Sequence, residues 1–246
     1  MLYRRNPLTM VATIDRCWWL TYHTPAPVAA RFVPSPLELV THNGFAFWNI
    51  VVARLRSMRP KGIPEPLGID YWHIGYRLLV RLHTGAEQLE GLHFVRSECD
   101  RMLLTMAGNL LTDFRFHTAQ IDVAESGDHV FVRVGSAQGA GTQADFVRGA
   151  QAPLPSDSAF GSLAEAEARL RYTPRAISVR NGVANILDVA RDESQWRTSP
   201  VTIEHARWRF FGDVEARPEL AFEIAPMEYQ WNRGRDVPVT GKAPTY

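Results

Sequence analysis

Lysine is nearly absent from this chain. Of 27 basic residues only Lys61 and Lys242 are lysines, and the rest are arginine. A guanidinium stays protonated and does not serve as a nucleophilic amine, so a reaction through a lysine imine has only two residues to draw on. Cysteine is equally scarce. Cys17 and Cys99 are the only two, with no CxxC, which excludes a disulfide framework and a thiolate-rich metal cluster. Net charge is also missing: 27 basic against 26 acidic side chains leaves +1, no global field for nucleic acid or an anionic membrane. No stretch approaches the roughly 18 to 20 apolar residues of a membrane-crossing helix. The segment MLYRRNPLTMVATIDR carries charge without an apolar run leading to a cleavage site, so a signal peptide is not expected and a cytoplasmic location is.

Several motifs are missing as well. The eight histidines, His23, His42, His73, His83, His93, His117, His129 and His205, stand singly, without HxH or HExxH spacing, so no metal site is expected. There is no GxSxG elbow, and GSAQGAG lacks the Lys-Ser/Thr of a phosphate loop. RWRF at Arg207–Phe210 interleaves basic and aromatic groups, but with neutral overall charge it reads as Trp208 and Phe210 in the core between exposed arginines.

What is present is packing material and turn chemistry. Apolar residues make up 46% of the chain, with 12 Phe, 7 Trp and 7 Tyr, enough for one large core in 246 residues. A single domain over 1–246 is expected, its core about 18–224 and the two ends outside it. Trp18–Tyr22 reads as a first strand, and Ala26–Phe32 as a short helix capped by Thr24. Leu37–Val40 and Phe45–Leu55 read as a hairpin through Asn43-Gly44, and 57–70, rich in proline, as a long loop. Tyr71–Leu82 is a strand. Ile121–Val123 with His129–Gly135 forms a hairpin, 136–158 a mobile loop, and Ser162–Tyr172 a helix with capping-box spacing. Asn181-Gly182 joins two more strands, and Val201–Phe211 and Leu220–Ile224 are late ones. Without sustained strand–helix alternation, the fold class is α+β, mainly antiparallel β, closed into a barrel or cone with a few short peripheral helices.

The stretch Gly91–Gln120, GLHFVRSECDRMLLTMAGNLLTDFRFHTAQ, organises the functional reading. A strand runs into a polar step at Ser97–Asp100, followed by a short buried helix over Met102–Leu111. Such a step between buried elements is a natural pocket. Glu98 is the candidate pocket carboxylate, with Asp100 better placed as a helix cap. His93 and His117 flank the stretch, although each has an ordinary role open to it on a strand. Of the arginines close to it in sequence (Arg77, Arg81, Arg96 and Arg101), Arg96 and Arg101 are candidates to fork a carboxylate, with solvent-facing or ion-paired positions equally open. Cys99 lacks a recognisable histidine partner and reads as inert.

LTYHT at Leu20–Thr24, AARFVPSPLELV at Ala29–Val40 and GFAFWNIVVARLRSMRPKGIP at Gly44–Pro64 resemble successive blocks of the DUF2071, or YqjF-like, family of the acetoacetate-decarboxylase-like superfamily. GLHFVRSECD, LAEAEARLRYTP and QWRTSPVTIEHARW resemble later blocks, so the resemblance spans about Trp18 to Ile224. It implies the superfamily's barrel or cone and a cavity for a small organic acid or carbonyl compound. True acetoacetate decarboxylases form an imine on a lysine in the helix after the central strand. The corresponding positions here, near Leu104 and Thr105, hold none, and His23 falls where a first-strand arginine would be. Glu98 resembles the glutamate that precedes the lysine helix. Schiff-base decarboxylation is therefore not expected and no cofactor is implied. The expectation is a cavity gated by Glu98, His23 and His93, with Arg96, Arg101, Trp48, Tyr71 and His117 as ligand contacts. The chain could also assemble as a homo-oligomer. Two alternatives stay open: a lyase or hydrolase working on a keto acid by Glu/His acid–base catalysis, and a structural or interaction domain without a ligand.

Overall fold

A computed structural model describes residues 5–85, 87–136, 139–149, 153–170 and 174–239. The first part of the chain runs β1 (Met10–Pro25), α1 (Ala26–Ala30), β2 (Glu38–Leu39), β3 (Thr41–His42), β4 (Phe45–Pro60), β5 (Ile69–His83) and β6 (Gln88–Cys99). It continues with α2 (Met102–Leu111), β7 (Phe116–Thr118), β8 (Gln120–Ser126), β9 (His129–Ser136), β10 (Gly139–Arg148) and α3 (Leu163–Leu170). The last strands are β11 (Arg175–Arg180), β12 (Val183–Arg191), β13 (Thr198–Arg207), β14 (Arg217–Ile224), β15 (Met227–Trp231) and β16 (Arg235–Pro238).

The fold is mixed α+β with mostly antiparallel strands. Neighbours run β4-β5-β6-β11-β12-β15-β1, and β1 also pairs with β4, so this seven-strand path returns on itself as a pseudo-ring. A second layer, β8-β9-β10-β13, continues from β1 through β14. Strand alternation sorts the side chains: on β4, Trp48, Ile50 and Val52 face the second layer, while Phe47, Val51, Ala53 and Leu55 face into the ring. The two hydrophobic clusters follow from this. One, between ring and second layer, is dense with Trp18, Trp48, Tyr76, Phe146 and Trp208. The other, inside the ring, includes Ile14, Trp19, Leu55, Leu92 and Met227, and Ala159, Phe160 and Leu170 join it from the α3 segment.

Asn43 and Gly44 take the left-handed conformations of a tight hairpin (φ 50° and 83°), as do Asn181 and Gly182 (φ 51° and 73°). The Asn43-Gly44 hairpin joins β3 to β4; the earlier piece, Glu38–Leu39, pairs with β5 instead. Thr24 does not cap α1: Pro25 holds the cap position, and Thr24 Oγ1 accepts from Trp48 Nε1 at 3.1 Å. β1 begins at Met10 because its first residues pair with both β4 and β15, and Ala12 and Ile14 are buried. β4 continues to Pro60, shortening the expected loop at 57–70. Within 136–158 lies the strand β10, and Ser158 Oγ donates to Glu219 at 2.7 Å, so this stretch is not one long loop. In α3, Ser162 Oγ accepts from Glu165 N–H at 3.2 Å, as its spacing indicates. The expected C-terminal end of that helix, Tyr172–Thr173, and Lys242 lie outside the described residues. No described helix is long and apolar enough to cross a membrane.

Candidate functional site

The inward row of β5 carries the chemistry. His73, Gly75 and Arg77 alternate with Ile74, Tyr76 and Leu78, which face the second layer. All seven ring strands contribute side chains to a void of about 80 Å³, among them Cys17, Trp19, Val51, His73, Arg77, Phe94 and Tyr229. A second void of about 160 Å³ continues from it toward α2, lined by Tyr71, Leu104, Gly108, Leu111 and Phe116. Both voids share His73, Phe94 and Trp231. Between His73 and Arg77, Gly75 lets its neighbours come close: a Cβ there would stand 3.2 Å from Val51 Cγ1 and 3.3 Å from His73 Cε1.

The walls are apolar and the polar groups few, as ligand pockets usually are. Arg77 Nη2 donates to Asn49 Oδ1, and its guanidinium lies 5.1 Å from the Trp19 ring and 5.5 Å from that of Phe94. This planar cation is thus stacked between aromatic faces. His73 Nε2 is enclosed without a hydrogen-bond partner among the described residues. Burial, reinforced by the Arg77 charge, brings the His73 pKa down to about 3, so its imidazole is neutral across the physiological range. Ser97 lies on the same face beside Gly75, its Oγ also enclosed and without a partner. Burial pushes the Cys17 thiol up to about 12 and the Cys99 thiol to about 11, which makes both poor nucleophiles.

Of the expected site residues, Glu98, Arg96 and His117 come together, and the others lie elsewhere. Glu98 faces the second layer, opposite in sense to the ring voids; its Oε2 accepts from Tyr76 OH and its Oε1 from Arg96 Nε, each at 3.1 Å. His117 pairs in register with Glu98 on β7, and its pKa is lowered by partial burial and by Arg96. His93 is buried, with Nδ1 3.2 Å from Ile177 O. Burial brings its pKa to about 4, partly opposed by that carbonyl. Trp48 packs against Phe32, Phe210 and Phe211 between the layers. His23 lies at another place in the ring wall, with Nδ1 2.8 Å from the buried Glu219, which also takes Ser158 Oγ and the Ala159 N–H. Arg101 is exposed and donates to Asp70 O at 3.2 Å. Of the expected contacts, only Tyr71 lines the voids.

Three details of the Gly91–Gln120 stretch are corrected. Ser97–Cys99 is the end of strand β6, because it pairs with both β5 and β7, so the expected polar step lies within the strand rather than after it. Asp100 does not cap α2: its Oδ1 accepts from Trp72 N–H at 2.9 Å, and Arg101 holds the cap position without a side-chain bond. The helix is not buried, for only one side, including Leu104 and Leu111, meets the void, while Met102 and Met106 are 67% and 63% exposed.

Sequence alone left His73 among eight scattered histidines and Arg77 among many arginines. The signal was their spacing: His-x-Gly-x-Arg on one face of a strand whose other face runs Trp72, Ile74, Tyr76, Leu78, Val80 and Leu82.

The DUF2071 family model, described as an uncharacterized conserved protein, matches residues 12–219. Among solved structures, an acetoacetate decarboxylase-like enzyme from Sphingomonas wittichii RW1 aligns over 96% of this chain and 94% of its own, with a TM-score of 0.62 and 11% identity. The acetoacetate decarboxylase of Legionella pneumophila subsp. pneumophila str. Philadelphia 1 aligns over 96% and 90%, with a TM-score of 0.60 and 14% identity. The enduracididine biosynthesis enzyme MppR, complexed with pyruvate, aligns over 94% and 90%, with a TM-score of 0.57 and 11% identity. At such identities the likeness is one of fold. A comparison with curated proteins finds no match.

Proposed function

The chain belongs to the DUF2071 family, and from that premise we propose that its ring voids bind a small organic acid or carbonyl compound with an apolar body. In this reading the seven-strand path is a closed barrel or cone and the two voids are its lumen. The observation that carries it is the enclosed, unpartnered His73 Nε2 where the two apolar voids meet, four residues along the same strand face from the cation of Arg77. Arg77 supplies positive charge for a carboxylate or an enolate oxygen, and neutral His73 offers a hydrogen bond without a competing charge. A void of about 150 Å³ is enough for a benzene-sized group, so the α2-side void takes the apolar end. That a pyruvate complex is known for MppR, a protein of similar fold, agrees with this ligand class.

Imine chemistry is not part of the reading. Lys61 donates to Gln230 Oε1 at 2.9 Å and lines neither void. The superfamily's lysine would fall near Leu104, which does face the α2-side void but cannot form an imine.

Thermal-shift titration with pyruvate, acetoacetate and phenylpyruvate tests the reading. The expected result is stabilisation of the wild type that is lost in Arg77→Met and, for phenylpyruvate, in Leu104→Trp, which fills the outer void. Equal shifts in both variants, or no shift with any of the three compounds, would remove the ring voids from consideration. Borohydride added with acetoacetate is expected to leave no covalent adduct.

A further inference from the structure

The second layer holds a cluster that plays no part in the ring. His129 on β9, Asp145 on β10 and Glu204 on β13 come from three adjacent strands, and one donor atom of each lies within 4.8 Å of the others. His129 Nδ1 stands 3.9 Å from Asp145 Oδ1 and 3.8 Å from Glu204 Oε2.

Those distances are too long for hydrogen bonds, which weaken steeply well before 3.6 Å. They fall at the wide end of the separations open to donors sharing an ion, since two atoms each about 2.1 Å from one metal lie about 3 to 4 Å apart. Asp145 Oδ1 is enclosed and has no hydrogen-bond partner. No arginine or lysine pairs with either carboxylate among the described ion pairs; the histidine is the only basic group set against both. Two carboxylates with donor atoms within 4.8 Å of each other repel unless a cation lies between them.

A backbone irregularity assembles the set. Asp145 is opposite His205 and Phe146 opposite Ile203, so Glu204 is the extra residue of a β-bulge. In regular pairing Glu204 would sit opposite Phe146, which is buried between the layers. The bulge turns Glu204 toward the outer face, where Asp145 and His129 already stand. Side-chain exposures of 47%, 26% and 43% for His129, Asp145 and Glu204 place the cluster at the solvent edge, with Asp145 Oδ1 itself covered until the side chain turns toward an ion.

We propose that His129, Asp145 and Glu204 bind one divalent transition-metal ion, as zinc or manganese, on the outer face of the second layer. One imidazole with two carboxylates suits zinc or manganese better than calcium or magnesium, which favour all-oxygen shells. Three protein ligands leave coordination positions for water.

Calorimetric titration of the full chain with zinc acetate tests this, with Mn²⁺ followed separately by electron paramagnetic resonance. The expected outcome is one zinc per chain, weakened at least tenfold in Asp145→Asn and in Glu204→Gln. Both substitutions are near-isosteric and at partly exposed positions, so the metal-free melting temperature should hold, while the zinc-induced rise should shrink. Calcium at millimolar concentration should not compete. An unchanged isotherm in the His129→Gln/Asp145→Asn/Glu204→Gln variant would place any bound zinc elsewhere and overturn the proposal, as would no zinc binding below millimolar concentration.

Discussion

Strand β5 separates two interiors that differ in kind. Its outward row, Ile74, Tyr76 and Leu78, enters a core closed by Trp18, Trp48, Trp208 and Phe210, with Tyr76 stacked on Phe210 at 4.5 Å between ring centres. From its inward row, His73 and Arg77 border unfilled space. The same strand thus supplies one wall to a packed core and one to a void, and the pleat decides which residue faces which. Polar groups show the same division: Glu98, in the solid side, has both oxygens hydrogen-bonded, whereas His73 Nε2, at the void, has no partner.

Truncation breaks this comparison most strongly. Trp48 is 1% exposed and wedged among Phe32, Phe210 and Phe211. Trp48→Ala is expected to cost about 3–5 kcal/mol by urea denaturation, the usual loss for a large aromatic in a packed core. Leu104 already borders a void and is only half-buried, so Leu104→Ala should cost less than about 2 kcal/mol, the lower bound for core Leu→Ala changes. Equal losses at the two sites would mean that the ring interior is as tightly packed as the interlayer core.

Next in size is Glu98. Glu98→Ala leaves Tyr76 OH and Arg96 Nε without their acceptor, a loss of about 1–3 kcal/mol. In a double-mutant cycle with Tyr76→Phe the two losses should be non-additive, because one hydrogen bond is shared. Ligand-induced thermal shifts should survive in Glu98→Gln if the ring voids hold the ligand; their disappearance would return the site to the interlayer side.

The fold was legible because its signals are local and periodic. The Asn43-Gly44 and Asn181-Gly182 turns, the boundaries Met102–Leu111 and the Ser162 cap all follow from short-range chemistry. The site was harder, because facing is fixed by register. Glu98 looked like a pocket acid beside a polar step, but pairing with β5 and β7 extends the strand through Cys99 and sends Ser97 and Cys99 inward, Glu98 outward. Asp100 had the composition of a cap and instead completes a backbone N–H of Trp72, a partner 28 residues away. Glu204 joins His129 and Asp145 only through a bulge, which no spacing rule announces.

Acid should act on both interiors at once. His73 and His93, with pKa values brought down to about 3 and about 4, are neutral in the folded chain, whereas an unfolded histidine titrates near 6.5. Below that pH the unfolded chain binds more protons. The stability these residues contribute is therefore complete above about pH 6.5 and is lost as pH falls toward 4 and then 3. Urea midpoints should decline from pH 7 to pH 4.5, and His93→Gln and His73→Gln should each flatten the decline. A profile unchanged in both variants would assign the acid sensitivity to the carboxylates alone.

The smallest expected change in stability is also the sharpest probe of the void. Gly75 does not need its missing side chain for backbone reasons, since it is not among the residues with positive φ. Its role is to leave room. Gly75→Ala restricts the unfolded chain, a gain of about 0.4–1 kcal/mol where the native conformation accepts the new residue. Against this, the added Cβ meets Val51 Cγ1 at 3.2 Å, His73 Cε1 at 3.3 Å and Phe94 Cε1 at 3.4 Å, so these neighbours must give by a few tenths of an ångström. Because His73 and Phe94 border empty space, they have somewhere to move, and the net change in urea stability should stay within about 1 kcal/mol. Binding should respond more strongly, because the displaced His73 ring and the new methyl group take space where the two voids meet. A stable Gly75→Ala variant that binds the same acids less tightly separates the room inside the ring from the stability of its wall; unchanged affinity would mean that the ligand does not pass between His73 and Arg77.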